Sequence, residues 1–137
     1  MNNDIYKIVN NKIEDIFISG FLEKEENGFI FHPLYDNIYI ICSGNIYKIF
    51  LSGDNIDAII VPKITPYFKV DEDDIFAKSS IYIQLFNTEF PVKVLGVSID
   101  KMPLSPLYIK IKGCDNEFIL KVDPKNTFGL SISYIEG

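Results

Sequence analysis

Apolar residues recur along this chain mainly at every second position, in short runs separated by Gly, Asn, Asp and Pro. Leu107, Ile109 and Ile111 alternate with Tyr108, Lys110 and Lys112. The design returns at Phe118, Leu120 and Val122, and again at Leu130, Ile132 and Tyr134 with Ser131 and Ser133 between them. Successive side chains of a strand point to opposite faces, so this period predicts strands with one wet and one buried side. Ile38 to Cys42 and Ile59 to Val61 are apolar on both faces, which predicts strands lying centrally between two layers. Tight turns at Ser43-Gly44-Asn45 and Ser52-Gly53-Asp54-Asn55 separate strands at 38–42, 46–51 and 56–61. Connections this short leave no room for crossover helices, so the pairing is antiparallel.

The first residues follow a different period. Ile5, Ile8, Val9, Ile13, Ile16 and Phe17 fall at helical intervals behind Asn3 and Asp4, residue types that cap helix N-termini, and a short amphipathic helix over about residues 4 to 13 is predicted. Ile16 to Leu22 also reads as a strand leading to Glu26-Asn27-Gly28, a hairpin signal, with a return strand from Phe29 to His32 stopped by Pro33. Pro62, Pro66 and the run Asp71-Glu72-Asp73-Asp74 interrupt the alternation, so Asp71 to Lys78 is predicted as a loop or one helical turn. Strands resume at 81–86 and at 92–99, where Gly96 marks a bulge. The two halves share a three-strand design, Ile38-Tyr39-Ile40 and Ile46-Tyr47-Lys48-Ile49 being echoed by Leu107-Tyr108-Ile109 and Ile119-Leu120-Lys121-Val122. Alternation alone produces such echoes, so similar architecture is inferred and not duplication. The expected fold is mostly β, α+β by virtue of one short N-terminal helix, with antiparallel meander strands forming a sandwich or a partly open barrel in a single domain over 1–137.

Composition supports this and narrows the chemistry. Isoleucine, 11 phenylalanines and 8 tyrosines supply the β-branched and aromatic side chains that pack well on a pleated surface. The 13 basic residues are all lysine against 19 acids, a net charge of −6. Without arginine there is no planar fork for bidentate grip on phosphate, and the excess of acid repels a nucleic-acid backbone, so nucleic acid is not an expected partner. Cys42 and Cys114 have neither the density of a secreted disulfide scaffold nor the spacing of a zinc site, and are read as reduced packing residues. Residues 1–12 lack the apolar stretch of a signal peptide, and no run reaches membrane-spanning length, which predicts a cytoplasmic protein without membrane association.

No catalytic motif stands out: there is no phosphate-binding glycine loop, nucleophile elbow, zinc helix or C-x-x-C pair. His32, the single histidine, would need Cys42 beside it in space to make a nucleophilic pair. The acid clusters Asp71 to Asp74 and Asp54-Asn55-Ile56-Asp57 carry oxygens suited to a hard cation but lack the ligand alternation of a calcium loop, and solvated loops explain them better. Glu14, Asp15 and Glu89 have no spacing that sets a carboxyl separation for glycoside chemistry. No cofactor is expected. Tyr39, Tyr47, Tyr82 and Tyr108 occupy the outward positions of their strands, where tyrosine serves interfaces well; for Tyr39 and Tyr82, flanked by isoleucines, burial under a second layer is the better reading.

Acid residues concentrated at Glu23, Glu25 and Glu26 and at Asp71, Glu72, Asp73 and Asp74 point to a non-enzymatic domain steered to a basic protein partner. In length, charge and the meander over Ile38 to Val61 the chain resembles the small acidic immunity proteins with which bacteria neutralise toxins. That resemblance implies a stoichiometric partner, often a toxin domain, blocked by occlusion. A phage-encoded antagonist of a host protein fits the same charge argument. The alternative is a small-molecule or carbohydrate binder using His32, Tyr35, Tyr67 and the loop acids around a pocket. Self-pairing through an edge strand would make a homo-oligomer.

Overall fold

Alternating runs joined by two-residue turns can hardly do anything but fold back on themselves, and in the computed structural model, which describes residues 4–64, 75–81, 92–100, 102–113, 117–126 and 129–136, they do. The strands are β1 (Lys12–Glu25), β2 (Gly28–Cys42), β3 (Asn45–Ser52), β4 (Asn55–Val61), β5 (Ile75–Ser80), β6 (Val92–Ile99), β7 (Leu107–Lys112), β8 (Glu117–Asn126) and β9 (Gly129–Glu136). Among the described residues they form one nine-stranded sheet in the order β4-β3-β2-β9-β8-β7-β6-β1-β5, with β1 also paired to β2, and that sheet is not closed into a barrel. Two antiparallel meanders, β1 to β4 and β6 to β9, meet only narrowly. Lys12 and Ile13 of β1 pair with Lys93 and Val92 of β6, and a single parallel bridge joins Tyr35 to Gly129.

Turn chemistry sets the register. Ser43 and Gly44 both have positive φ, 50° and 81°, the twist that a two-residue hairpin loop needs to match its strands, and Cys42 consequently faces Asn45. The inner faces then share one core: Ile13, Ile16, Ile18, Ile38, Ile40 and Ile49 from the first meander pack with Val92, Val94, Ile109, Ile111, Leu120 and Val122 from the second. The clean alternation of 107–112 is realised residue by residue, with Leu107, Ile109 and Ile111 buried and Tyr108, Lys110 and Lys112 exposed. Gly96 does mark a bulge, since the β6–β7 register shifts between Val94 and Gly96.

Four local expectations are corrected. Ile59 to Val61 do not lie centrally between two layers, because β4 is an edge of the sheet, paired among the described residues with β3 alone, and Ile60 is 39% exposed. The N-terminal helix is a 3-10 turn over Asp4–Ile8, and Ile13, Ile16 and Phe17 belong to β1. Ile5 and Ile8 are fully buried, but Asn10, at φ 68°, turns the chain, and its N–H donates to the Val94 carbonyl at 2.9 Å. Val94 in turn donates to Asn11 at 2.8 Å, so sheet hydrogen bonds capture the segment before a second helical turn can form. Pro33 does not stop the return strand, because it lies in β2 opposite Gly20 at an irregularity, where a missing N–H is tolerated. Residues 75–80 are strand β5, paired with Phe17 to Leu22, rather than loop or helical turn. The strand expected at 81–86 lies outside the described residues apart from Ile81.

The β1–β2 irregularity shapes the molecule. Between the pairs Ile18 with Ile38 and Gly20 with Pro33, β1 contributes Ser19 alone while β2 contributes Leu34 to Asn37. That excursion carries Tyr35 out to its bridge with Gly129. Gly20 makes it feasible: a Cβ there would run into the His32 carbonyl oxygen, with Pro33 Cα only 3.0 Å away.

Asp4 fastens the N-terminal turn to β4, accepting a hydrogen bond from the Ile60 N–H at 3.2 Å and pairing with Lys7 Nζ at 3.0 Å. The hydrogen bond donated by Lys7, then that donated by the Ile60 N–H, holds its carboxyl below the ordinary value of 3.8 against the effect of burial. A lowered carboxyl pKa stabilises the fold fully above its ordinary value and ceases to do so as pH falls through the lowered one. In an Asp4→Asn comparison followed by thermal denaturation, the wild-type advantage is expected to shrink as pH falls from about 5 to about 2.

Candidate functional site

The outer half of the β1–β2 hairpin leaves the core. Pairing continues from Phe21 opposite His32 to Glu25 opposite Gly28, with Glu26 and Asn27 at the tip. Side chains directly opposite share a face, so Phe21, His32, Glu23, Ile30 and Glu25 line one side, and Leu22, Phe31, Lys24 and Phe29 line the other. Phe29 is 55% exposed and Ile30 48%, beside exposed Glu23, Glu25 and Glu26. Three of the sequence-predicted partner-binding acids thus share the hairpin with two uncovered apolar side chains, Ile30 on the face of Glu23 and Glu25 and Phe29 on the opposite face beside Lys24, which charge reasoning alone had not singled out. Asp71, Glu72, Asp73 and Asp74 lie outside the described residues, as do Tyr67, Tyr82, Glu89 and Cys114.

His32 stacks on Phe21, ring centroids 4.8 Å apart, and its Nε2 lies 3.3 Å from Glu23 Oε2, outside hydrogen-bond geometry. This is an ion pair when the imidazole is protonated. Cys42 is far from it, at the other end of β2 opposite Ile13, so the two do not form a nucleophilic pair. Burial pushes the Cys42 thiol up from its ordinary 9.0, with Glu14 adding to the rise and Ser43 opposing it. A buried, protonated thiol is a poor nucleophile. In a Cys114→Ser background, Cys42 is expected to react with a disulfide reagent at neutral pH only on the timescale of unfolding; labelling within the mixing time would contradict the burial assigned to it.

The other candidates are dispersed. Asp57 is buried and accepts from the Ala58 N–H at 2.8 Å, whereas Asp54 lies in the β3–β4 turn. Asp15 accepts from the Ser80 hydroxyl and the Ile16 N–H, and Glu14 from the Gly44 N–H at 3.2 Å. Among the described residues no three His, Cys, Asp or Glu side chains converge as metal ligands. Tyr39 is 2% exposed, in line with burial, and Asn37 donates to its hydroxyl at 3.4 Å. Tyr47 is also buried, against its expected outward position, because the Ile40-Tyr47 pair faces the shared core. Of the expected outward tyrosines in the described residues only Tyr108, 37% exposed, remains on the surface.

A second surface was not anticipated. On the outer face of β6, β7 and β8, the Gly96 bulge leaves a shallow depression of about 450 Å³ lined by Gly96, Val97, Ser98, Tyr108, Lys110 and Ile119. Beside it Lys12 faces Lys93 and Lys93 faces Lys112, placing three exposed lysines side by side across three strands. Lys110 pairs with Glu117 at 3.5 Å and Lys121 with Asp123 at 3.6 Å, but among the described residues no ion pair reaches the three in the row.

No known protein family, curated protein or solved structure matches this chain. Among the described residues, no helix is long and apolar enough to cross a membrane. The fold and surfaces therefore define the class, an open antiparallel sheet with a projecting acidic hairpin.

Proposed function

We propose that this chain is a non-enzymatic, cytoplasmic binding domain that offers its β1–β2 hairpin to a basic protein partner, in the way a small immunity protein blocks a toxin domain by occlusion. The observation that carries the reading is the exposure of Phe29 and Ile30 on the same hairpin as Glu23, Glu25 and Glu26. Protein interfaces typically have an apolar centre that loses water on binding inside a polar rim, and Ile30 beside Glu23 and Glu25 on one face of the hairpin has that arrangement. The rim charges act mostly on the rate of encounter, the apolar centre on the lifetime of the complex.

Capture from a lysate of the source organism, followed by purification of the captured protein, supplies the partner for a kinetic test. Exchanging Glu23, Glu25 and Glu26 for Gln is expected to slow association several-fold at low salt, with little change at high salt and an unchanged melting temperature. Ile30→Ser is expected to speed dissociation. Asp71, Glu72, Asp73 and Asp74 exchanged for Asn or Gln form a parallel arm, and an unaltered on-rate there removes that segment from the interface. Association indifferent to all of these changes would sink the reading.

A further inference from the structure

The lysine row poses a physical problem. Like charges directly opposite each other across strands destabilise a sheet, yet Lys12, Lys93 and Lys112 stand in consecutive strands of a protein whose net charge is −6. Their backbone neighbours on the inner face, Ile13, Val92, Val94 and Ile111, are fully buried, so the register is locked and all three lysines stay on the outer face. One row along β7, at Lys110, lies the depression over Gly96. Two residues of strand separate the rows, about 7 Å.

The hairpin carries the complement at the same spacing. On one of its faces Ile30 stands opposite Glu23, and Glu25 lies two residues further toward the tip, again about 7 Å away. An exposed aliphatic side chain next to carboxylates thus matches an apolar depression next to ammonium groups. We propose that the outer face of β6 to β8 is a docking site for the β1–β2 hairpin of a second copy of this chain, with Ile30 entering the depression against Tyr108 and Ile119 and the carboxylates of Glu25 and Glu23 meeting Lys93, Lys112 and Lys110. The contact is heterologous, hairpin of one copy on sheet of the next, so it needs no two-fold axis, and an open chain of copies leaves one hairpin unused at one end and one face unused at the other. A nucleic-acid strand is the weaker occupant: the row is only three lysines wide, has no arginine, and sits on an acidic protein. The inference stands apart from the proposed foreign partner, because variants of the lysine face leave the hairpin intact for capture.

Light scattering and sedimentation on the whole protein test it. The mean mass is expected to rise with protein concentration and fall as salt rises from about 50 to about 500 mM. Two double variants, Glu23→Lys with Glu25→Lys and Lys93→Glu with Lys112→Glu, should each weaken self-association at least about tenfold. Mixing the two restores it, since each supplies the surface the other now matches. Circular dichroism and melting confirm folding, and the double Lys93→Glu, Lys112→Glu variant is expected to melt no lower than wild type, because the contact of position 93 with Lys12 becomes attractive and one like-charge pair, between positions 93 and 112, remains where the wild type has two. A wild type that stays monomeric at every concentration, or two variants that fail to associate when mixed, overturns the proposal. Binding of a labelled oligothymidylate to a monomeric wild type, lost in the lysine-face variant, overturns it in favour of nucleic acid.

Discussion

Replacing Gly20 by alanine is expected to destabilise the protein by about 3 kcal/mol, seen as a lowered urea midpoint with little change in slope. The added methyl would meet backbone, the His32 carbonyl and Pro33 Cα, and backbone cannot step aside as the end of a flexible side chain can. To accept it, β1 and β2 would have to part where the chain leaves its regular ladder, and the excursion of Leu34 to Asn37 that delivers Tyr35 to Gly129 would shift with them. Gly96→Ala is the control, since a Cβ there meets nothing within 4 Å and should be close to neutral. Equal effects of the two substitutions would show that close approach at Gly20 does not shape the fold.

The second large effect is expected at Ile40. Its side chain is fully buried, between Ile16 of β1 and Tyr47 of β3 in the ladder, inside the core shared by both meanders. Truncation to alanine removes three carbons and leaves a cavity that close-packed strands cannot fill, a loss of about 3 to 4 kcal/mol. Ile135→Ala removes the same atoms from a side chain that is 51% exposed and should change stability by less than about 0.5 kcal/mol. A small loss at Ile40 would mean that the two meanders are not packed on one another.

The candidate surface was legible in part. Glu23, Glu25 and Glu26 were visible as a charge cluster on a hairpin, because both the turn signal and the charges are local in sequence. Phe29 and Ile30 carried no such mark, for an apolar residue in a strand reads as core until something fails to cover it. The lysine row was invisible, since Lys12, Lys93 and Lys112 are remote along the chain and only register makes them neighbours. Tyr47 misled in the opposite direction, as a single alternating pattern leaves open which of two faces is the inner one.

What the amino-acid sequence determined by itself is the local part: β class, antiparallel meanders, the places of the tight turns, the bulge at Gly96 and the inward side of 107–112. These follow from side-chain period and turn residues, whose physics acts over a few neighbours. Tertiary structure alone decided that the N-terminal turn stops at Ile8, that β2 runs through Pro33, that residues 75–80 form a strand, and which charges meet on which face. Each of those outcomes depends on hydrogen bonds or contacts with partners on other strands, from Gly20 opposite Pro33 to Val94 bonded to Asn10, and no local pattern specifies them.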